Sequence, residues 1–450
     1  MNPDFLLKLP LAKELYHGYA KALPIIDYHN HLPAAELVND RKFENITQLW
    51  VASDPYKHRA MRILGVEENR ITGKASDFEK FQAWYESLPR LIGNPLFDWS
   101  VMELNLVFGM DLLPFEDCET VWNRLNDALK GMSAKSILEK FQIVYSAPCT
   151  ALTDDLSVFE KDPQLAPSLR GDDLLTPGKE LLEQLGAQTG IEILSLADYL
   201  TAIGQRLQAF RAVGCRFTDH ALDNGFRYLP SDGENARRFR ELVKGQPLSA
   251  EDTLRLRSEI LKQLASRYAA CGFTMQLHIG AQRSTSTRLK KAAGAAGGYA
   301  AIGSTVDVQS VVSFLDDVEQ MPNGLPQVLL FTLNPADNTV MATLSGSYCA
   351  DGVEALISQG PAWWWCDHYR GMETMLDEFC CHSVLSSFVG MTTDSRSILS
   401  FVRHDYFRRC LCQWMAEMVE KDRLPNDLGL LSDTVRRICF ENANKRLKDL

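Results

Sequence analysis

The chain predicts an α/β fold, a (β/α)8 barrel interrupted near its start by a helical insertion. Three observations carry that expectation. Short apolar runs alternate with helix-like stretches over most of the 450 residues. Polar residues gather just past the C-terminal ends of those runs, the face on which barrel enzymes build their sites. The first run leads into Asn30-His31-Leu32-Pro33, not the glycine-rich turn that opens a doubly wound sheet.

Taken in order, the run 25–28 ends at His29 and His31, and the run 141–145 ends at Ser146. The run 215–218 ends at Asp219 and His220, and 273–277 ends at His278. The run 328–332 leads to Asn334, and 388–393 leads to Asp394. Between them, 249–270 and 306–319 carry helical periodicity. The interval 33–140 is rich in helix formers and aromatics (Trp50, Phe81, Trp84, Tyr85, Trp99) and poor in strand-like runs. It is expected to be the helical insertion. That divides the chain into 1–32, an N-terminal segment with the first barrel strand; 33–140; and 141–450, the rest of the barrel with the C-terminal helices. Residues 283–303 combine Ser-Thr-Ser-Thr with an Ala-Gly-rich stretch and read as a mobile loop over the site.

Charge and cysteine usage narrow the function. A net charge of −11 argues against a general nucleic-acid binder. A few local arginines can still make one cleft attractive to a small anion. The eleven cysteines are irregularly spaced and contain no Cys-x2-Cys pair, which disfavours a thiolate zinc cluster and suggests a reduced, cytoplasmic setting. Apolar runs are too short for a membrane span.

Two segments point to chemistry. A strand sends residues i and i+2 to one face, so His29 and His31 can offer two imidazoles to one divalent metal. Asp394 and Arg396 share a face in the same way. Asp394 can complete a two-His, one-carboxylate metal site or act as a base. Arg396 offers a planar fork suited to a carboxylate or an enediolate oxygen. His278 is either a ligand-like site residue or a hydrogen-bonded core histidine. Of the indoles Trp363-Trp364-Trp365, expected on a strand, one can line a pocket against the apolar face of a sugar. Taken singly, Arg170, in a loop-like stretch, and Tyr56 carry no signal.

Together the segments resemble the uronate isomerases, a branch of the amidohydrolase superfamily. The matching pieces begin with Asp27-Tyr28-His29-Asn30-His31-Leu32-Pro33, Arg59-Ala60-Met61-Arg62 after Tyr56, and Pro167 to Arg170. They continue with Asp219-His220, Gln276-Leu277-His278-Ile279-Gly280 and Leu333-Asn334-Pro335-Ala336-Asp337-Asn338. The last are Trp363-Trp364, Phe388-Val389-Gly390-Met391 and Asp394-Ser395-Arg396-Ser397, extending to Tyr406-Phe407-Arg408-Arg409. The resemblance implies a distorted (β/α)8 TIM barrel and reversible aldose–ketose isomerisation of a hexuronate. The pairs are D-glucuronate with D-fructuronate and D-galacturonate with D-tagaturonate. It implies an oligomeric enzyme and a divalent metal, usually zinc, on His29, His31 and Asp394. It places Tyr56, Arg170 and Arg396 on the substrate, Trp364 beside it, and His278 near the metal. The chain departs from the pattern at Asp54-Pro55-Tyr56, where relatives carry Asp-His-Tyr. It also departs at 282–288, where they carry an asparagine run, and at Trp365-Cys366-Asp367, where they carry Phe-Asn-Asp. The same ligands could activate water, so a metal-dependent hydrolase acting on a small anionic substrate is the alternative activity.

Overall fold

The computed structural model describes residues 1–448. Its frame is a curled sheet of seven parallel strands in the order β1-β2-β3-β4-β5-β8-β9. These are β1 (Ile25–Asn30), β2 (Ile143–Ala151), β3 (Ser168–Arg170), β4 (Phe217–Asp223), β5 (Thr274–Ile279), β8 (Val328–Thr332) and β9 (Ile357–Gln359). A separate antiparallel pair, β6 (Ala281–Gln282) and β7 (Ala301–Ile302), lies between β5 and β8. Long helices such as Ala250–Cys271 and Val308–Glu319 connect successive sheet strands, as parallel pairing requires.

The strands are short, apolar and almost wholly buried, β5 and β8 throughout. That is the pattern of a sheet covered on both faces. Between β1 and β2 all regular elements are helices, from Ala34–Val38 to Ala134–Lys140. Their buried side chains, Trp50 and Trp84 among them, join the same apolar core as Leu264, Phe314 and Leu411.

Several details differ from the sequence expectation. The second strand runs to Ala151, so it presents Cys149 where Ser146 was expected to end it. Arg170 sits on β3, a three-residue strand too short to register as an apolar run. Residues 364–366 form a turn rather than strand, which lets adjacent indoles point different ways. The segment 388–393 has no regular strand assignment, yet it lies against β1. The Asp394 amide donates to the His29 carbonyl (3.0 Å), and the His31 amide donates to the Ser395 carbonyl (2.9 Å). Asp27 holds this junction. Its carboxylate accepts from the Thr393 amide (2.7 Å), the Thr392 hydroxyl (3.1 Å), His404 Nε2 (3.0 Å) and Asn30 Nδ2 (2.8 Å). Residues 283–303 are more ordered than a plain loop, with a helix at Thr287–Ala293 and the β6–β7 pair at their base.

Candidate active site

Because Asp27 ties the first strand to residues 392–394, side chains from the two ends of the chain converge. His29 Nε2 lies 3.1 Å from Asp394 Oδ1, and His31 Nε2 lies 3.0 Å from the same oxygen. Trp363 Nε1 and Trp364 Nε1 donate to the other oxygen, the latter at 2.7 Å. Burial would raise the Asp394 carboxyl, but the two imidazoles outweigh it and hold the group ionised, well below the usual range. Burial opposes the charged imidazoles, but Cys149 and Asp394 raise His31, and Cys149, Asp219 and Asp394 lift His29 well above the ordinary imidazole value.

A second buried cluster adjoins the first. Asp219, on β4, accepts from His278 Nδ1 (2.6 Å) and pairs with Arg170 NH1 (3.2 Å). Burial opposes ionisation of Asp219; the neighbouring His278, His29 and Arg170 overcome it and hold the carboxyl well below its usual value. Burial keeps His278 below its ordinary value, and the Asp219 carboxylate can only accept at Nδ1. The ring therefore carries its hydrogen on Nδ1, and its buried Nε2 has no hydrogen-bond partner. It stacks on Phe331 with ring centroids 4.4 Å apart, and the His29 ring is 4.7 Å away. Cys149 Sγ completes the cluster, 3.7 Å from both His29 Nδ1 and Asp219 Oδ2. Burial would raise that thiol, but His31 and His29 bring it to about 7. His220 alternates away from the site, with Nε2 3.0 Å from the Tyr268 hydroxyl.

The donor chemistry fits a divalent metal. Among the described residues, His29, His31 and Cys149 form one set of potential ligand atoms within 4.8 Å of one another. His29, Asp219 and His278 form a second set at the same spacing. Two imidazoles and a carboxylate, convergent and fully buried in this second set, are a donor set that zinc and similar ions accept. In the second set the orphaned Nε2 of His278 is the lone pair open to an ion.

A cleft of ≈ 90 Å³ opens onto Asp394. His31, Tyr56, Arg283, Trp364, Trp365 and Arg396 line it. Of the residues singled out from sequence, His29, His31, Asp394, Tyr56, Trp364 and Arg396 meet around this cleft or its floor. Arg170 and His278 reach the floor through Asp219. Asp54 positions Tyr56 by capping the helix Pro55–Ile63 and accepting from the Tyr56 amide (3.0 Å). The Tyr56 hydroxyl donates to Asp367 Oδ2 (2.8 Å). Arg403 NH1 donates to the same oxygen (3.2 Å), and its guanidinium lies over the rings of Tyr56 (4.4 Å) and Trp99 (4.3 Å).

The segment after β6 folds over this cleft. Arg59 NH1 donates to the Ala300 carbonyl (3.1 Å), Arg62 donates to the Gly297 carbonyl, and Ala295, Ala296, Gly298 and Ala300 line the opening. Gly298 has a positive φ and lies against the Pro55 carbonyl. Cys149, Arg283, Asp367 and the central place of Asp219 were missed in the sequence. Asp219 had a signal in its position just past an apolar run, and Asp367 in the aspartate it shares with the family motif.

The sequence profile of the glucuronate isomerase family matches residues 1–447. The chain belongs to the glucuronate isomerase family. It is 38% identical to a uronate isomerase of Caldanaerobacter subterraneus subsp. tengcongensis, over 99% of this chain and 98% of that one. A Vibrio vulnificus uronate isomerase is 37% identical over the same shares. A crystal structure of the Thermotoga maritima uronate isomerase superposes with a TM-score of 0.92 at 25% identity, covering 100% of this chain and 99% of that one. This family carries hexuronate isomerisation, so the chain is an isomerase.

Proposed function

We propose that the chain interconverts D-glucuronate with D-fructuronate and D-galacturonate with D-tagaturonate through a cis-enediol. A divalent ion, zinc by donor type, is bound by His29, His31 and Asp394. The observation that carries this reading is the convergence of both imidazoles on Asp394 at the floor of a cleft lined by Tyr56, Arg396 and Trp364.

When bound, the ion supplies a fixed positive charge that orients the sugar acid and steadies its oxygens. The side chains do the rest. Isomerisation removes a proton from C2 and returns one to C1, so one base must reach both carbons. Asp394 is ionised and faces the cleft, as that role requires. Arg396 and Arg170 supply charge-assisted hydrogen bonds to substrate oxygens. Trp364 offers an indole face to the carbon-bound hydrogens of the open-chain sugar. His278, with an unpartnered Nε2, stands by the floor as a proton acceptor or additional ligand. Residues 283–303 cover the cleft and exclude water from the enediol.

The rest of the reading concerns architecture and setting. Residues 388–395 take the eighth position of a closed, distorted barrel. Residues 33–140 form its helical insertion, between segments 1–32 and 141–450. The enzyme works as a cytoplasmic homo-oligomer, a setting that suits eleven free cysteines. Among the described residues no helix is long and apolar enough to cross a membrane.

The test is a panel of hexuronates, other sugar acids and neutral hexoses, followed for ketose formation with and without chelator. Chelator-sensitive turnover of hexuronates alone is expected. Equal turnover of glucose and glucuronate defeats the assignment.

A further inference from the structure

Tyr56 and Trp365 line both the cleft over Asp394 and a second cleft of ≈ 470 Å³ behind it. Asp367 lines only the rear cleft, together with Arg59 and His368. The Tyr56 hydroxyl stands between them, bonded to Asp367 Oδ2 at 2.8 Å.

That bond limits what Tyr56 can offer a substrate. A phenol has one hydrogen and two lone pairs. With Asp367 ionised, the carboxylate can only accept, so the hydrogen is committed to the rear. Tyr56 then faces the cleft as an acceptor, suited to a sugar hydroxyl. If Asp367 carries a proton, it can donate to the Tyr56 oxygen, and the phenol hydrogen turns to the cleft. Tyr56 then suits a carbonyl or an enediolate oxygen.

We propose that Asp367 is the positioning residue for Tyr56, and that its protonation reverses the direction of the hydrogen bond that Tyr56 offers the substrate. The inference rests on the reading of Tyr56 as a substrate contact. The proton comes from solvent through the rear cleft, which Asp367 lines although it is only 4% exposed. Burial and the more distant Asp394 favour the neutral form; Arg403, which touches the same oxygen, and the Tyr56 hydrogen bond favour the charged one. The balance is pushed up to about 6, against an ordinary aspartate near 3.8. Tyr406 also faces Asp367, and Asp54 and Glu103 stand behind Arg403. His368, the next residue, is held below its ordinary value by burial.

The test compares the wild-type enzyme with Asp367→Asn and Tyr56→Phe. An asparagine oxygen can still accept from Tyr56 and Arg403, so D367N keeps the geometry and loses the titration. In the wild type, kcat/KM is expected to change through a midpoint of about 6. That step should vanish in D367N and in Y56F. A step of unchanged midpoint in folded D367N overturns the proposal. Infrared difference spectra of the wild-type enzyme, taken on either side of that midpoint, give a second readout that needs no turnover. The protonated-carboxyl stretch and a shift of the Tyr56 C–O stretch should appear together in the wild type. Y56F should lose the second band and keep the first. A carboxyl band that rises with no tyrosine shift overturns the coupling. If the bands move together but no hexuronate is turned over, the functional reading fails and the coupling stands.

Discussion

His278 Nδ1 lies 2.6 Å from Asp219 Oδ1, while its Nε2, on the far side of the ring, has no partner. An ionised carboxylate can only accept, so this contact fixes the tautomer and leaves the Nε2 lone pair free. Asp219→Asn keeps the shape but lets the amide donate to Nδ1, which moves the hydrogen to Nε2. Activity or metal affinity should fall roughly 10–100-fold, the usual cost of losing such an orienting partner. Nitrogen chemical shifts of the histidines, with metal content and kcat, check this. An unchanged tautomer in the variant would refute it.

The support under Tyr56 is also ionic. Lys57 is 1% exposed and lies 3.1 Å from both Asp54 and Glu103; Trp50 Nε1 donates to the same Glu103. Removing the lysine leaves two buried carboxylates facing each other. Lys57→Met should destabilise the fold by about 3–5 kcal/mol, as breaking one member of a buried pair does. Because Asp54 caps the Tyr56 helix, activity should fall at temperatures where the variant is still folded. Denaturant unfolding followed alongside turnover separates the two effects.

The covering segment depends on a glycine. A Cβ on Gly298 would lie 2.2 Å from the Pro55 carbonyl oxygen, and φ there is +78°. Gly298→Ala must therefore push the segment off Pro55 or strain its own backbone. KM should rise more than kcat falls, since the cleft is formed and only its cover is displaced. Hydrogen exchange should quicken in residues 283–303 alone. A variant with wild-type KM would show that this contact does not matter to binding.

Acid stability carries a signature of His58. It is buried, its Nε2 donates to the Val51 carbonyl (2.9 Å), and burial brings it down to about 4. The folded protein thus binds this proton less readily than the unfolded chain, whose histidine titrates near 6.5. The resulting stability is present above pH ~6.5 and lost as pH falls from there toward 4, by roughly 3 kcal/mol in all. His58→Gln keeps a donor for Val51 and removes the titration. Its stability should fall less steeply across that window in denaturant titrations. Parallel slopes for the two proteins would contradict the assignment.

How much was legible beforehand follows from what each residue needs. His29, His31, Asp394 and Arg396 announce themselves by i, i+2 spacing at the ends of apolar runs, where alternation alone puts them on one face. Their meeting depends on Asp27, three of whose partners, Thr392, Thr393 and His404, lie in a distant segment and leave no local pattern. Cys149 went unread because Pro148 and Thr150 hid the end of β2. Arg170 carried no signal of its own because β3 has only three residues, and only the family resemblance pointed to it. Asp367 follows three indoles in a turn, and only the fold brings Tyr56 to it, 311 positions away in sequence.

Asp394 bears the heaviest chemical demand, and its four donors make the prediction sharp. Both carboxylate oxygens are engaged, Oδ1 by two imidazoles and Oδ2 by two indoles. Asparagine can accept on one side only, and its amide would face donors on the other. Asp394→Asn should therefore lose affinity for the ion and lower turnover by on the order of 10³-fold or more, combining loss of a ligand with loss of a base. Exchange of the C2 hydrogen with solvent deuterium separates the two losses. With metal restored by excess zinc and substrate bound, exchange should remain abolished if Asp394 is the base. Undiminished exchange in the metal-loaded variant would leave Asp394 as a ligand alone. The base role would then pass to another group at the floor, with His278 Nε2 the first to examine.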